Sequence, residues 1–236
     1  MTSSRPFLTA EWRMLAMLNY EVDPRLLQQF VPAGTELDFW QGKLFVSLVG
    51  FRFLNTRVMG IPVPFHRDFD EVNLRFYVRR LEGQEVRRGV VFVREIVPRW
   101  AIAAVARNVY NEKYVALPMR HRIEQGPFVA YSWRSRAGWS QIQIRAAGEP
   151  VLPREGSEEQ FITEHYWGYA AQRGGGCMEY RVEHPSWKVW RAQQATFEGD
   201  VEELYGKELA AVVKKPPTSA FLAEGSGVAV RSGRSI

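Results

Sequence analysis

The chain has 236 residues, a formal net charge of +5 and a single cysteine, Cys177; at 46% apolar and 24% charged residues its composition is ordinary for a globular protein with a substantial core. One cysteine excludes an internal disulfide framework and fits a reducing cytoplasm, no run of ~18 apolar residues is available to span a membrane, and the leading MTSSRPFLTAEWR lacks the apolar centre of a signal peptide. Basic residues are scattered among acidic ones rather than gathered into a stripe, so no nucleic-acid or membrane partner is expected and the charge reads as a solubility feature.

In chain order, Phe7 to Tyr20 carries Trp12, Met14, Leu15, Met17 and Leu18 and predicts an early strand. Asp23-Pro24 has the form of an N-cap followed by proline at the first helical position, opening a short helix with Leu26, Leu27 and Phe30 inward that stops before Pro32-Ala33-Gly34. The segment LDFWQGKLFVSLVGFRF predicts a hairpin turning at Gln41-Gly42, and Gly60 to Pro64 is a loop that feeds the next strand.

The stretch from Pro62 to Met119 organises the chain. Val72, Leu74, Phe76 and Val78 alternate with Glu71, Asn73, Arg75 and Tyr77, the period of a strand with one face in the core. The polar face has two readings. It faces water, as in most antiparallel sheets, or it lines the interior of a barrel or cone where its donors and acceptors meet a ligand. Gly89 to Val97 fills both faces with apolar side chains and predicts a strand covered on both sides. Arg94 and Glu95 interrupt it, marking either its exposed end or a buried pair in need of partners. From Pro98, Ile102, Val105, Ala106 and Val109 make an amphipathic helix that ends near Tyr110-Asn111.

Beyond Met119 an antiparallel meander is expected over His121–Ile123, Phe128–Trp133 and Gln141–Arg145. Ser157 and Gln160 form a capping box for a helix containing Phe161, Ile162, His165, Tyr166 and Trp167. The glycines after Arg173 turn into a strand, CMEYRVEHPSWKVWRAQ, and Asp200 with Glu203 caps a further short helix. Two short strands around Glu224-Gly225-Ser226-Gly227 close the chain. With no repeat, linker or long low-complexity segment, residues 1–236 read as one mostly antiparallel β domain of the α+β class.

His66, His121, His165 and His184 show no metal-ligand spacing and Cys177 stands apart, so neither a metal nor a cofactor is expected. There is no G-x-S-x-G elbow, and Gly225-Ser226-Gly227 lacks the dinucleotide fingerprint. The lysines are Lys43, Lys113, Lys188, Lys207, Lys214 and Lys215, and each has a solvated surface role as its default.

FLTAEWRMLAMLNYEVDP, GKLFVSLVGFRF, PFHRDFDEVNLRFYVRR and GVVFVREIVPRWAIAAVARNVY, with the later EHYWGY and EYRVEHPSW, resemble a bacterial family called domain of unknown function 2071, itself similar to the acetoacetate-decarboxylase-like superfamily. The resemblance covers nearly the whole chain. It implies a closed, bent antiparallel β-barrel or cone around a largely apolar cavity, with several peripheral helices. The decarboxylases carry a Schiff-base lysine in a Gly-Arg-Glu-aliphatic-aromatic-Gly-aromatic-Pro-Lys-Lys segment. Against it Arg107 matches the arginine, Lys113 falls on the proline and Tyr114 on the nucleophilic lysine, while Glu71 resembles the active-site carboxylate of a Tyr-x-Glu run.

Three functional readings follow. The first is a cavity that binds a small organic molecule without Schiff-base chemistry, lined by His66, Glu71, Asn73, Arg75, Tyr77, Arg107, Tyr114 and His184. The second is a decarboxylase-like enzyme for a β-keto acid using Lys113 with Glu71. The third is an interaction protein with an exposed aromatic patch. A homo-oligomer is left open.

Overall fold

The computed structural model describes residues 5–62, 67–98, 113–172 and 174–236. The expected helix after Pro98 lies outside them. So do two candidate site residues, His66 and Arg107.

Strand β1 (Leu8–Glu21) is followed by a single helical turn, Pro24–Leu27, whose cap Asp23 accepts a hydrogen bond from Arg25 N, as the Asp-Pro pair predicts. Next come β2 (Glu36–Leu37) and β3 (Phe45–Val58). The turn at Gln41-Gly42 exists, with both residues at positive φ and a Trp40–Lys43 bridge. The expected hairpin across it is limited to that bridge, because Leu37 pairs instead with Val78 of β5. Strands β4 (Ile61–Pro62), β5 (Phe69–Glu82), β6 (Glu85–Val97) and β7 (Tyr114–Ala116) carry the central stretch, and β5 with β6 forms one long hairpin. The meander appears as β8 (Met119–Glu124), β9 (Phe128–Ser135) and β10 (Gly138–Ala146).

Ser157 caps the helix Glu158–Thr163 by accepting from Gln160 N, while the Gln160 side chain accepts from Gly156 N. This helix stops short of its expected length, so that Trp167 opens β11 (Trp167–Ala171) and His165 sits in the connection. The single strand expected after the glycine turn is divided at Pro185, which has no N–H for a ladder, into β12 (Cys177–Glu183) and β13 (Val189–Glu198). After the helix Glu202–Val213, the two expected closing strands are one long strand, β14 (Ser219–Val230), with a short β15 (Arg234–Ser235) at the end.

Strand β12 pairs with β11 on one side and, through Val182–Val230 and Glu183–Ala229, with β14 on the other. The pairings β1-β3-β5-β6-β11-β12-β14 therefore run in a ring back to β1, all antiparallel except β6–β11. From β14 the order continues outward through β13, β10, β9 and β8.

Two apolar clusters divide the ring's side chains by the period-2 rule. Val46, Leu48, Val72, Leu74 and Phe76 pack against Tyr131, Trp133, Ile142 and Ile144 of the meander and against Leu204 and Leu209 of the last long helix. Phe45, Val49, Phe51, Phe69 and Tyr77 belong to the second cluster with Leu15, Phe161 and Trp187. Both faces of β5 are thus buried through Val78, and neither is the solvent face of an ordinary antiparallel strand. Gly50 permits the first contact: a Cβ there would lie 2.7 Å from both Tyr131 and Ile142. Among the described residues no helix is long and apolar enough to cross a membrane.

Candidate functional site

The second face of β5 opens onto a cavity of about 220 Å³, walled mainly by apolar and aromatic side chains that include Trp12, Phe53, Phe69 and Trp187. Glu71, Asn73 and Arg75 reach it at successive inward positions of β5. Tyr114 reaches it from β7, which lies parallel to β6 with Tyr114 opposite Glu95. The segment that follows Ser157 contributes Ile162, Thr163 and His165, and the connection between β12 and β13 contributes His184 and Trp187. Gly168 leaves room for the Tyr180 ring, which occupies the space its Cβ would need.

A bulge in β6 places Glu95 in this cavity. Arg75 pairs with Phe92 but Leu74 pairs with Arg94, so the register slips by one residue between them. Strict alternation from Val90 and Phe92 would send Arg94 inward. The bulge sends it outward instead, where Nε donates to the Leu204 carbonyl at 2.9 Å, and brings Glu95 to the cavity wall at 2% exposure. The charged pair is therefore not the exposed end of the strand.

Glu71 is 2% exposed. Its Oε1 accepts from Asn73 Nδ2 at 2.9 Å and its Oε2 from the Tyr114 hydroxyl at 3.1 Å. Burial dominates over these bonds and over the attraction of Arg75, and the carboxyl is pushed up from 4.5 to about 7. A side chain so placed exchanges its proton near neutrality. The Tyr114 phenol is driven well above its ordinary value by burial and by the neighbouring Glu71 and Glu95 carboxylates, so it acts as a donor. Arg75 is 8% exposed, donates through Nη2 to the Ile162 carbonyl at 3.3 Å, and its Nε has no hydrogen-bond partner among the described residues.

Two histidines complete the polar part of the wall. His165 holds Asp38 through Nε2 at 3.2 Å, and Asp38 is in turn bound by Arg88 Nε at 2.8 Å. Burial depresses His165 against the opposing pull of Asp38, while His165 and Arg88 together outweigh the burial of Asp38 and keep it ionised. His184 Nδ1 lies 2.9 Å from the Pro185 carbonyl, which fixes the proton on that nitrogen, and its ring stacks on Trp187 at 4.0 Å. Burial lowers its proton affinity as well.

A family model described as an uncharacterized conserved protein, domain of unknown function 2071, matches residues 9–227. The chain belongs to this family. The uncharacterized protein YqjF of Bacillus subtilis strain 168 is 26% identical over 200 residues, which cover 83% of this chain and 80% of YqjF. Among solved structures, an acetoacetate decarboxylase from Legionella pneumophila superposes with a TM-score of 0.72 at 14% identity, covering 100% of this chain and 92% of that one. The enduracididine biosynthesis enzyme MppR complexed with pyruvate gives 0.68 at 12%, over 99% and 91% of the two chains. An acetoacetate decarboxylase-like enzyme from Sphingomonas wittichii RW1 gives 0.66 at 11%, over 97% and 92%. Identities this low carry the fold and not the chemistry.

In this member of the domain of unknown function 2071 family, five of the anticipated residues meet at one cavity: Glu71, Asn73, Arg75, Tyr114 and His184. Tyr77 stands behind the wall, its hydroxyl 2.6 Å from Ser47 Oγ and its ring against Phe161 and His165. Lys113 is exposed, with Nζ 4.8 Å from the centre of the Phe30 ring, and is not part of the lining. None of the other lysines lines the cavity either, and all are exposed. Sequence reasoning passed over His165, Asp38 and Thr163. The first sits four residues after Phe161 in a segment that reads as an apolar helix, where a histidine on the buried face looks like packing, and its partner Asp38 is far away in sequence. Among the described residues no group of three or more His, Cys, Asp or Glu side chains is arranged to hold a metal ion.

Proposed function

We propose that this chain holds a small, partly apolar organic ligand inside the ring of strands, which we read as a closed, bent β-barrel, and that no Schiff base takes part. The observation that carries this reading is the pairing of a mainly apolar cavity with a buried Glu71 poised near pH 7 and no lysine in the wall. A ligand in such a site has its body desolvated by aromatic side chains and its polar atoms met by Asn73, Arg75, Tyr114 and Glu71. Any reaction there would use proton transfer rather than imine formation. The decarboxylase alternative through Lys113 requires a dry amine next to the ligand, and no observation favours it.

Trp12 and Trp187 make the test direct, because both indoles touch the cavity. Six-carbon alcohols and acids are expected to shift the tryptophan emission and raise the melting temperature of the wild-type protein. Val182→Phe, which fills the cavity from β12, should abolish both responses while the variant still unfolds cooperatively. A wild-type protein indifferent to every such compound would remove the basis of the proposal.

A further inference from the structure

Among the described residues of the cavity wall, Trp12 Nε1, Thr56 Oγ1 and Asn73 Oδ1 are buried without a hydrogen-bond partner, and so are one atom each of Arg75 and His165, whose demands are opposite. Arg75 is a guanidinium more than nine-tenths buried, with no carboxylate in ion-pair contact among the described residues and with Nε lacking a partner. A buried cation of this kind leaves a strong demand for an anion, and the planar fork of arginine matches a carboxylate. Glu71 stands within its field but is held by Asn73 and Tyr114, not by Arg75. His165 supplies the opposite demand. Its Nε2 faces an ionised Asp38, which can only accept, so the ring proton is on Nε2. Nδ1 is then a bare lone pair, and it too is buried without a partner among the described residues. Arg75 and His165 are close enough that the arginine's charge acts on the imidazole, and both line the same cavity.

We infer that Arg75 and His165 select a hydroxy monocarboxylic acid with an apolar body, the carboxylate taken by Arg75 and the hydroxyl donated to His165 Nδ1. This rests on the binding cavity proposed above and narrows its ligand class. A keto acid lacks the hydroxyl hydrogen that His165 requires, and an alcohol lacks the charge that Arg75 requires. His165 is a binding residue here and Asp38 a positioning residue, since it acts by fixing the tautomer of the imidazole. The remaining wall, with Trp12, Phe53 and Phe69, suits an unbranched or branched hydrocarbon body.

The test is a calorimetric titration of the wild-type chain at pH 8 with 1-hexanol, hexanoate, 2-hydroxyhexanoate and 3-hydroxyhexanoate. One of the hydroxy acids is expected to bind at least about tenfold more tightly than hexanoate, and hexanoate more tightly than 1-hexanol. His165→Phe should bring the hydroxy-to-deoxy ratio close to one without erasing the preference for acids. Arg75→Met should erase the preference for acids. Ratios within one variant are insensitive to a general loss of stability, and if either variant fails to fold the wild-type series decides alone. Hexanoate binding as tightly as both hydroxy acids, or 1-hexanol matching the acids, would overturn this inference while leaving the cavity proposal standing. No binding by any of the four would take both down.

Discussion

Glu71 and Glu179 are both glutamates on ring strands and both almost completely buried, at 2% and 1% exposure. Their surroundings differ in kind. Glu179 accepts from Arg80 at 3.3 Å, Arg87 at 2.9 Å, Arg234 at 2.8 Å and the Tyr169 hydroxyl at 3.1 Å. It ties the β5–β6 hairpin, β11, β12 and the C-terminal β15 to one point. Among the described residues Glu71 is hydrogen-bonded only to neutral donors, Asn73 and Tyr114, and it faces a cavity. One carboxylate is saturated with cations and serves the fold. The other is bonded to no cation among the described residues, the attraction of Arg75 does not offset its burial, and its ionisation is costly, as the cavity proposal requires. Burial alone therefore does not separate a carboxylate held by arginines from one left facing a cavity. The partners do.

The largest expected effect lies at Glu179. Glu179→Ala leaves three arginines around an empty position, and breaking a buried ion network in this way costs about 3–5 kcal/mol. The urea midpoint should fall accordingly, with the slope unchanged. A loss under ~1 kcal/mol would mean that the arginines reach solvent and that the contrast with Glu71 is false.

Glu71→Gln should act in the opposite direction. The folded-state value of about 7 stands above the ordinary 4.5, so between these values the folded chain holds a proton that the unfolded chain has lost. Stability from this group is therefore highest below about pH 4.5, falls as pH rises through the window, and is at its lowest above 7. At about 1.4 kcal/mol per tenfold change in proton affinity, the gap amounts to roughly 3 kcal/mol. Glutamine keeps an acceptor for Asn73 and carries no charge. The variant should be more stable than wild type by up to about that amount at pH 8 and nearly equal to it at pH 4. Equal pH profiles for the two proteins would show that Glu71 is not an unpaired buried acid.

A smaller change sharpens the same comparison. Tyr114→Phe removes the phenol that donates to Glu71 and supports its charged form. The variant should lose about 1 kcal/mol at pH 8, where the carboxylate is ionised, and much less at pH 4. Its pH-dependent window should extend to more alkaline values. A loss of the same size at both pH values would assign Tyr114 to packing alone.

Much of the frame was legible in the sequence because it is written in short-range rules. The alternation from Glu71 to Val78 identified the residues of each face of β5, and the Asp23-Pro24 and Ser157/Gln160 signals located two helix starts. What the alternation did not contain was the nature of the two sides. Both are interior, one against the meander and one against the cavity, and only the ring of pairings makes that distinction. Glu95 shows the limit most clearly. Its inward position depends on a one-residue slip opposite Leu74 and Arg75, and nothing in GVVFVREIV marks where the slip falls. The same holds for His165 and Asp38, which are 127 residues apart and meet only when the chain is folded.

Lys113 provides the smallest expected effect and the sharpest discrimination between mechanisms. An amine that attacks a carbonyl near neutrality must be desolvated or placed beside another cation, so that its free form is populated. Lys113 is exposed and rests over the Phe30 ring, away from the cavity wall. The residue at the position matched to the decarboxylase nucleophile, Tyr114, has a phenol that forms no imine. Lys113→Ala is therefore expected to change stability by no more than about 0.5–1 kcal/mol, the range of an exposed side chain that loses one ring contact. Binding of six-carbon ligands should stay within about twofold of wild type, since nothing in the cavity wall is altered. Borohydride reduction in the presence of acetoacetate should leave the mass of every lysine-containing peptide unchanged. A reduced adduct on Lys113, lost in Lys113→Ala together with turnover of the keto acid, would favour the decarboxylase reading over the cavity proposal and remove the reason for contrasting the two buried glutamates.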